Sequence, residues 1–191
     1  TQNMPDNSII AILAPSGWAK EPAPKTPTAF EYLRVDKDAN VVARFPFESP
    51  SSFWNISNIT FGDEGEVYLY GEASKAKNDK HFDKLTGTSK FDNFQLMKVK
   101  DGQLAYITST PMEDFASKLK IPGNMKKVDS YEGKKFEVGP ITFASNGDVF
   151  ISGQEKDDKG YGNINLFQFD AQGKLKAQFG YKLQETGKEA V

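Results

Sequence analysis

The run "NDKHFDKL" (78–85) places Asp79 and Asp83 on alternate positions either side of His81, the only histidine in the chain. A histidine flanked by carboxylates can act as a general base or a metal ligand near neutral pH. His81 would have to do so alone. Zinc catalysis commonly uses two or more histidines, and a serine hydrolase would need a G-x-S-x-G elbow, which the sequence lacks. With no cysteine, thiol nucleophiles, thiolate zinc sites and disulfides are excluded. A solvated loop residue is the simpler reading of His81.

Two further chemistries deserve weighing. "DKDAN" (36–40) imitates the start of a calcium loop, with Asp36, Asp38 and Asn40 alternating, but Val41 and Phe47 stand where that loop needs Gly and Glu. A hairpin turn explains it better, as it does "DEGE" (63–66) and "NGD" (146–148). Glycoside hydrolysis needs two carboxylates whose separation in space decides the reaction. Glu72, Asp79, Asp83, Glu113, Asp114, Asp157 and Asp158 fall in or beside long connections, and seven among 26 acids is no enrichment. No phosphate-cradling glycine loop or dinucleotide fingerprint occurs, and no metal or cofactor is expected.

Aromatic residues are the better clue. Trp18, Phe53, Trp54, Phe82, Phe91, Tyr131 and Tyr161 lie in or beside the long connections, where rings can stack on sugars or grip a partner. Packing accounts for Phe53, Trp54 and Phe91, next to strands. The candidate binding set is Trp18, Trp54, His81 and Tyr161.

The elements that would hold these residues repeat. "ITFGDEGEVYLYG" (59–71) returns as "ITFASNGDVFISG" (141–153), 82 positions on. A second hairpin follows each copy: "FQLMKVKDGQLAYITS" (94–109) aligns with "LFQFDAQGKLKAQFG" (166–180) through Gly102 and Gly173, 71 positions apart. "FEYLRVDKDANVVARF" (30–45), preceded by the strand "IIAILA" (9–14), makes a third and partial copy. Each complete unit reads as four antiparallel strands, A to D. Asp101-Gly102 and Asn146-Gly147 carry the signal of a primed turn. The units span 9–47 (without an obvious strand A), 57–109 and 138–180, in one domain over 1–191.

In "EVYLYG", Val67 and Leu69 face one way and Tyr68 and Tyr70 the other, so this strand expects cover on both faces. Leu175, Ala177 and Phe179 alternate with Lys174, Lys176 and Gln178, as in a strand with one wet face. Short turns (62–66, 100–103, 144–148, 170–174) fall on one rim. Long connections (14–29, 46–56, 73–93, 110–137, 154–164) fall on the other, where binding is expected. "MEDFASKLK" (112–120) is read as one short helix. The sequons at Asn55 and Asn58 enter a strand expected to be buried.

Composition sets the outer limits. A chain of 191 residues with 15 Phe and a net charge of −2 suits one aromatic-rich all-β domain and offers no basic field for nucleic acid or anionic lipid. No apolar run reaches the roughly 20 residues that span a bilayer as a helix. The chain starts at Thr1 without an initiator Met, as expected of a processed form or a piece of a longer protein.

The third unit, "ITFASNGDVFISG…NLFQFDAQGKLKAQFG", resembles a bacterial β-propeller repeat of roughly sixty residues. That repeat pairs an x-D-G-x-V/I-x-x-x-G hairpin with an F-x-x-x-x-x-D-G-x-L hairpin. Unit two matches apart from an insertion at 73–92, and unit one matches in part. The "GEVYLYG" and "DNFQLMKVKDG" stretches also look like uncharacterised secreted or cell-envelope proteins of Bacteroidota-type bacteria. The resemblance implies an all-β, propeller-like stack of four-stranded antiparallel blades, about three of them, exported to the periplasm, the cell surface or the medium. Closure then needs further blades, from a longer chain or from a protein partner. The expected function is a non-catalytic scaffold or recognition module that binds protein or glycan through its long-loop rim. The alternative is a carbohydrate-active hydrolase or lyase with carboxylates from different blades.

Overall fold

The computed structural model describes residues 2–13, 29–51, 53–74, 93–111, 114–115, 119–120, 135–157 and 160–181. Its architecture is all-β, built on tight turns that the sequence writes repeatedly. In five of them (4–8, 36–40, 62–66, 144–148 and 170–174) the first amide donates to the fifth carbonyl and the fourth amide to the first carbonyl. The fourth residue takes positive φ each time: Asn7, Ala39, Gly65, Gly147 and Gly173. This is a type I turn closed by one left-handed residue. Asn146-Gly147 is therefore not the primed turn its dipeptide suggests, since Gly147 alone has positive φ. Asp101-Gly102 is one, with φ of 51° and 73°.

These turns fold the chain into three sheets whose strands pair antiparallel in chain order, apart from one short strand at the edge of the third. Sheet I holds β1 (Gln2–Asn3), β2 (Ile9–Leu13), β3 (Ala29–Val35) and β4 (Val41–Glu48). Sheet II holds β5 (Phe53–Phe61), β6 (Val67–Ser74), β7 (Asn93–Lys100) and β8 (Gln103–Pro111). Sheet III holds β10 (Lys135–Phe143), β11 (Val149–Asp157), β12 (Gly160–Phe169) and β13 (Leu175–Tyr181), and the short β9 (Leu119–Lys120) pairs parallel with β13.

Four further sequence expectations are corrected. The first unit does have a strand A, because β1 pairs Gln2 with Ile10 and Asn3 with Ile9; at two residues it is too short to show a period. The helix expected over 112–120 extends no further than Asp114 and Phe115 among the described residues, since Leu119 and Lys120 are strand. The connection expected at 154–164 is the tip of a long hairpin, paired as far as Asp157 with Gly160. Asn55, expected in a buried strand, is exposed on the edge strand β5.

The sheets stack face to face. Ile10, Tyr32 and Phe47 of sheet I pack with Val67, Leu69, Met97 and Val99 of sheet II. Tyr68, Tyr70, Phe94 and Leu96, on the opposite face of sheet II, pack with Val149, Ile151, Phe167 and Phe169 of sheet III. Every described position of β6 is buried. Phe115, from the connection between sheets II and III, wedges edge-on between Phe94 and Phe167, with centroids 5.9 and 4.8 Å away. The two strands A, β5 and β10, approach each other, as do the strands D, β4 and β8. All three sheets are therefore laid down in the same orientation.

The turns also lock neighbouring sheets. Thr108 donates to the Gly173 carbonyl at 2.7 Å, and a Cβ on Gly173 would run into the Tyr106 ring. Gly65 has the same positive φ but open space around it. Gly65→Ala should therefore cost about 1 kcal/mol of unfolding free energy, for the left-handed backbone alone. Gly173→Ala should cost about 3 kcal/mol, because overpacking adds to it. Ala39→Gly, which relieves a non-glycine left-handed residue, should stabilise by up to about 1 kcal/mol. Urea unfolding of the three variants measures this, and equal losses at both glycines would contradict the Tyr106 contact.

Candidate functional site

At the short-turn rim, the gap between sheets II and III opens into a cleft of about 290 Å³. Sheet II contributes Glu64, Glu66, Tyr68, Lys98 and Lys100, and sheet III contributes Phe143 and the turn from Ala144 to Asp148. Strand pairing sets Lys98 directly across from Tyr68. The Tyr68 and Phe143 rings meet at 5.1 Å and form an aromatic contact beneath the charged wall. Lys98 Nζ lies 2.9 Å from Glu66 Oε1 and 5.2 Å from the Tyr68 ring centroid. Lys100 Nζ reaches Glu64 at 3.0 Å and Glu66 at 3.9 Å.

The electrostatics follow from these contacts. Burial alone would raise the Glu66 pKa, but the Lys98 hydrogen bond, the Glu66 and Glu64 amides and the Lys98 charge outweigh it, so the net shift is downward. Burial opposes the Lys98 charge too, yet Tyr68 and Glu66 raise its pKa. Hydrogen bonds from Lys176 at 2.8 Å and Gln168 at 2.7 Å hold Asp148 below the usual aspartate range. A glycosidase acid needs the opposite, a carboxyl held neutral by raised pKa. Glu66 and Asp148 are instead stabilised as anions. Among the described residues, no group of three His, Cys, Asp or Glu side chains could hold a metal ion.

This arrangement recurs once per sheet. Ser8, Glu66 and Asp148 each follow the left-handed turn residue, and each is held by a side chain from the facing strand: Arg34 at 3.1 Å, Lys98 at 2.9 Å and Gln168 at 2.7 Å. The registers Ile10 with Arg34, Tyr68 with Lys98 and Phe150 with Gln168 make the three equivalent. In sheet I, Arg34 also pairs with Asp6 at 2.6 Å and lies 4.9 Å from the Phe61 ring centroid. The motif joins turn to strand in each sheet, and in sheet I it also reaches the next sheet through Arg34 and Phe61.

The calcium-like run is a turn cap. Asp36 accepts from the amides of Asp38 and Asn40 at 2.9 Å, and Asp170 does the same for Gln172 and Lys174. Of the candidate binding residues, Trp18 and His81 lie outside the described residues, as do Asp79, Asp83, Glu113 and Asp158. Trp54 sits in β5 opposite Ala73, half-buried against the core between sheets I and II, and its indole Nε1 is buried without a hydrogen-bond partner among the described residues. Tyr161 belongs to β12, opposite Lys156, rather than to a loop. Trp54 and Tyr161 therefore stand on different sheets. The cleft itself was missed by sequence reasoning. Its signal was the acid that follows Gly65 and again Gly147, read there as turn chemistry.

Compared with known protein families and with characterised proteins, the sequence matches none of them.

Lys98→Met should cost about 2 kcal/mol at pH 7, because it leaves Glu66, 9% exposed, with only the more distant Lys100 at 3.9 Å as a cation. The folded pKa of Glu66 lies below its ordinary value of 4.5. The pair's contribution is therefore present above that value and is lost as pH falls through the folded pKa. Denaturant unfolding at pH 7 and pH 3 should show the deficit of the variant shrinking at the lower pH. A deficit of the same size at both would contradict the ion pair.

Proposed function

We propose that the chain is a non-catalytic scaffold and recognition module, a β-propeller-like stack of which it supplies about three blades. The long connections on one rim, with the tip of the β11–β12 hairpin, hold a protein or glycan partner, with Trp18 and Tyr161 as the contact aromatics. The observation that carries this reading is the uniform packing of three four-stranded units, with short turns gathered on one rim. Such scaffolds leave the opposite loops free for binding. Glu64, Glu66 and Asp148 of the cleft support the non-catalytic reading, because each is neutralised by a neighbouring lysine. Placement outside the cytoplasm, in the periplasm, at the cell surface or in the medium, rests on the resemblance of the repeat to envelope proteins.

Binding and turnover can be read in one experiment. The chain is titrated calorimetrically against a polysaccharide panel and against envelope-protein fractions, and the samples are then analysed for released saccharides. Binding without cleavage is expected, and Trp18→Ala with Tyr161→Ala should weaken it at least about tenfold. Saccharide release that Asp157→Asn abolishes would establish the enzyme instead.

A further inference from the structure

Each sheet has two distinct faces. The back face carries Ile9, Ala11, Leu33 and Val35 in sheet I, Val67, Leu69, Met97 and Val99 in sheet II, and Val149, Ile151, Phe167 and Phe169 in sheet III. These sets are equivalent by register: Ile9 with Val35, Val67 with Val99 and Val149 with Phe169, then Ala11 with Leu33, Leu69 with Met97 and Ile151 with Phe167. The front face carries Ile10 and Tyr32, then Tyr68 and Leu96, then Phe150 and Leu166. Both internal junctions join the front of one sheet to the back of the next.

This order leaves the back of sheet I and the front of sheet III without a sheet partner among the described residues. On the first, Ile9, Leu13 and Val41 are 44%, 42% and 56% exposed. On the second, Ile164 is 38% exposed, whereas Phe94, its counterpart in sheet II, is 3% exposed inside the junction. Phe150 and Leu166 are half-buried.

We infer that the occupant of both faces is a second copy of this chain, with the front of sheet III in one copy seated on the back of sheet I in the other. The inference rests on the stacked-blade reading above and continues an interface the chain already makes twice. A junction of this kind is heterologous, so it closes into a ring or grows into a filament. Blades close in rings of typically about four to eight. The three sheets among the described residues fall short of that range, two copies of them give six, and three copies exceed it.

Light scattering coupled to size exclusion should give a dimer for the wild-type chain. Ile9→Glu and Ile164→Glu, both at exposed positions that leave the fold intact by circular dichroism, should each give monomers. An equimolar mixture of the two variants should recover a heterodimer, because one of its two junctions is wild type on both sides. A monomeric wild type, a filament, or a mixture that stays monomeric would overturn the inference. Slow amide exchange in β6 of a monomeric wild type would leave the stacked reading standing while this inference falls.

Discussion

Sheet II is buried on both faces, and the remaining structure follows from that. A strand such as β6, with Val67 and Leu69 on one side and Tyr68 and Tyr70 on the other, has no side on which water is tolerable. It needs two covering layers, and the chain provides them by repeating the same four-stranded unit before and after it. Apolar area removed from water contributes about 25 cal/mol per Å². Within one copy, a sheet covered twice gains this on both sides, while each outer sheet gains it once.

Polar groups within the stack serve the same end. Tyr70 donates its hydroxyl to the Gly139 carbonyl at 3.0 Å, and Asn58 donates to Val138 at 3.2 Å, so strand A of sheet III is tied to sheet II by hydrogen bonds as well as by apolar contact. Burial pushes the Tyr70 hydroxyl up to about 12, which keeps it a donor across the physiological range. Gln95, wholly buried, is satisfied by Ser49 in the link between sheets I and II. Links, turns and clamps thus fix the spacing of sheets whose broad contact is apolar.

Much of this was legible because hairpins are local. The strands of sheets II and III, their glycine turns and the two dry faces of β6 can be read from alternation and from Gly65 and Gly147. What escaped was short or non-local. β1 is two residues long, and β9 is visible only through its pairing with β13. The alignment of Gly102 with Gly173, 71 positions apart, holds for the strand after the turn. Before it, Lys98 and Gln168 are equivalent by register at a spacing of 70, because the turn at 170–174 contains one residue more. The cleft was illegible for a related reason. Glu66 and Phe143 belong to different units, and only stacking brings them together. Tyr161 looked like a loop residue because "KDDKGYGN" is polar and glycine-rich, yet backbone pairing carries the hairpin through it.

Hydrogen exchange of backbone amides, followed by mass spectrometry, tests the doubly covered central sheet most directly. In the monomeric Ile9→Glu variant the account predicts the slowest exchange in 67–73 and 94–99, with 10–13 and 164–168 exchanging sooner. Exchange in 67–73 as fast as in those outer sheets would contradict it.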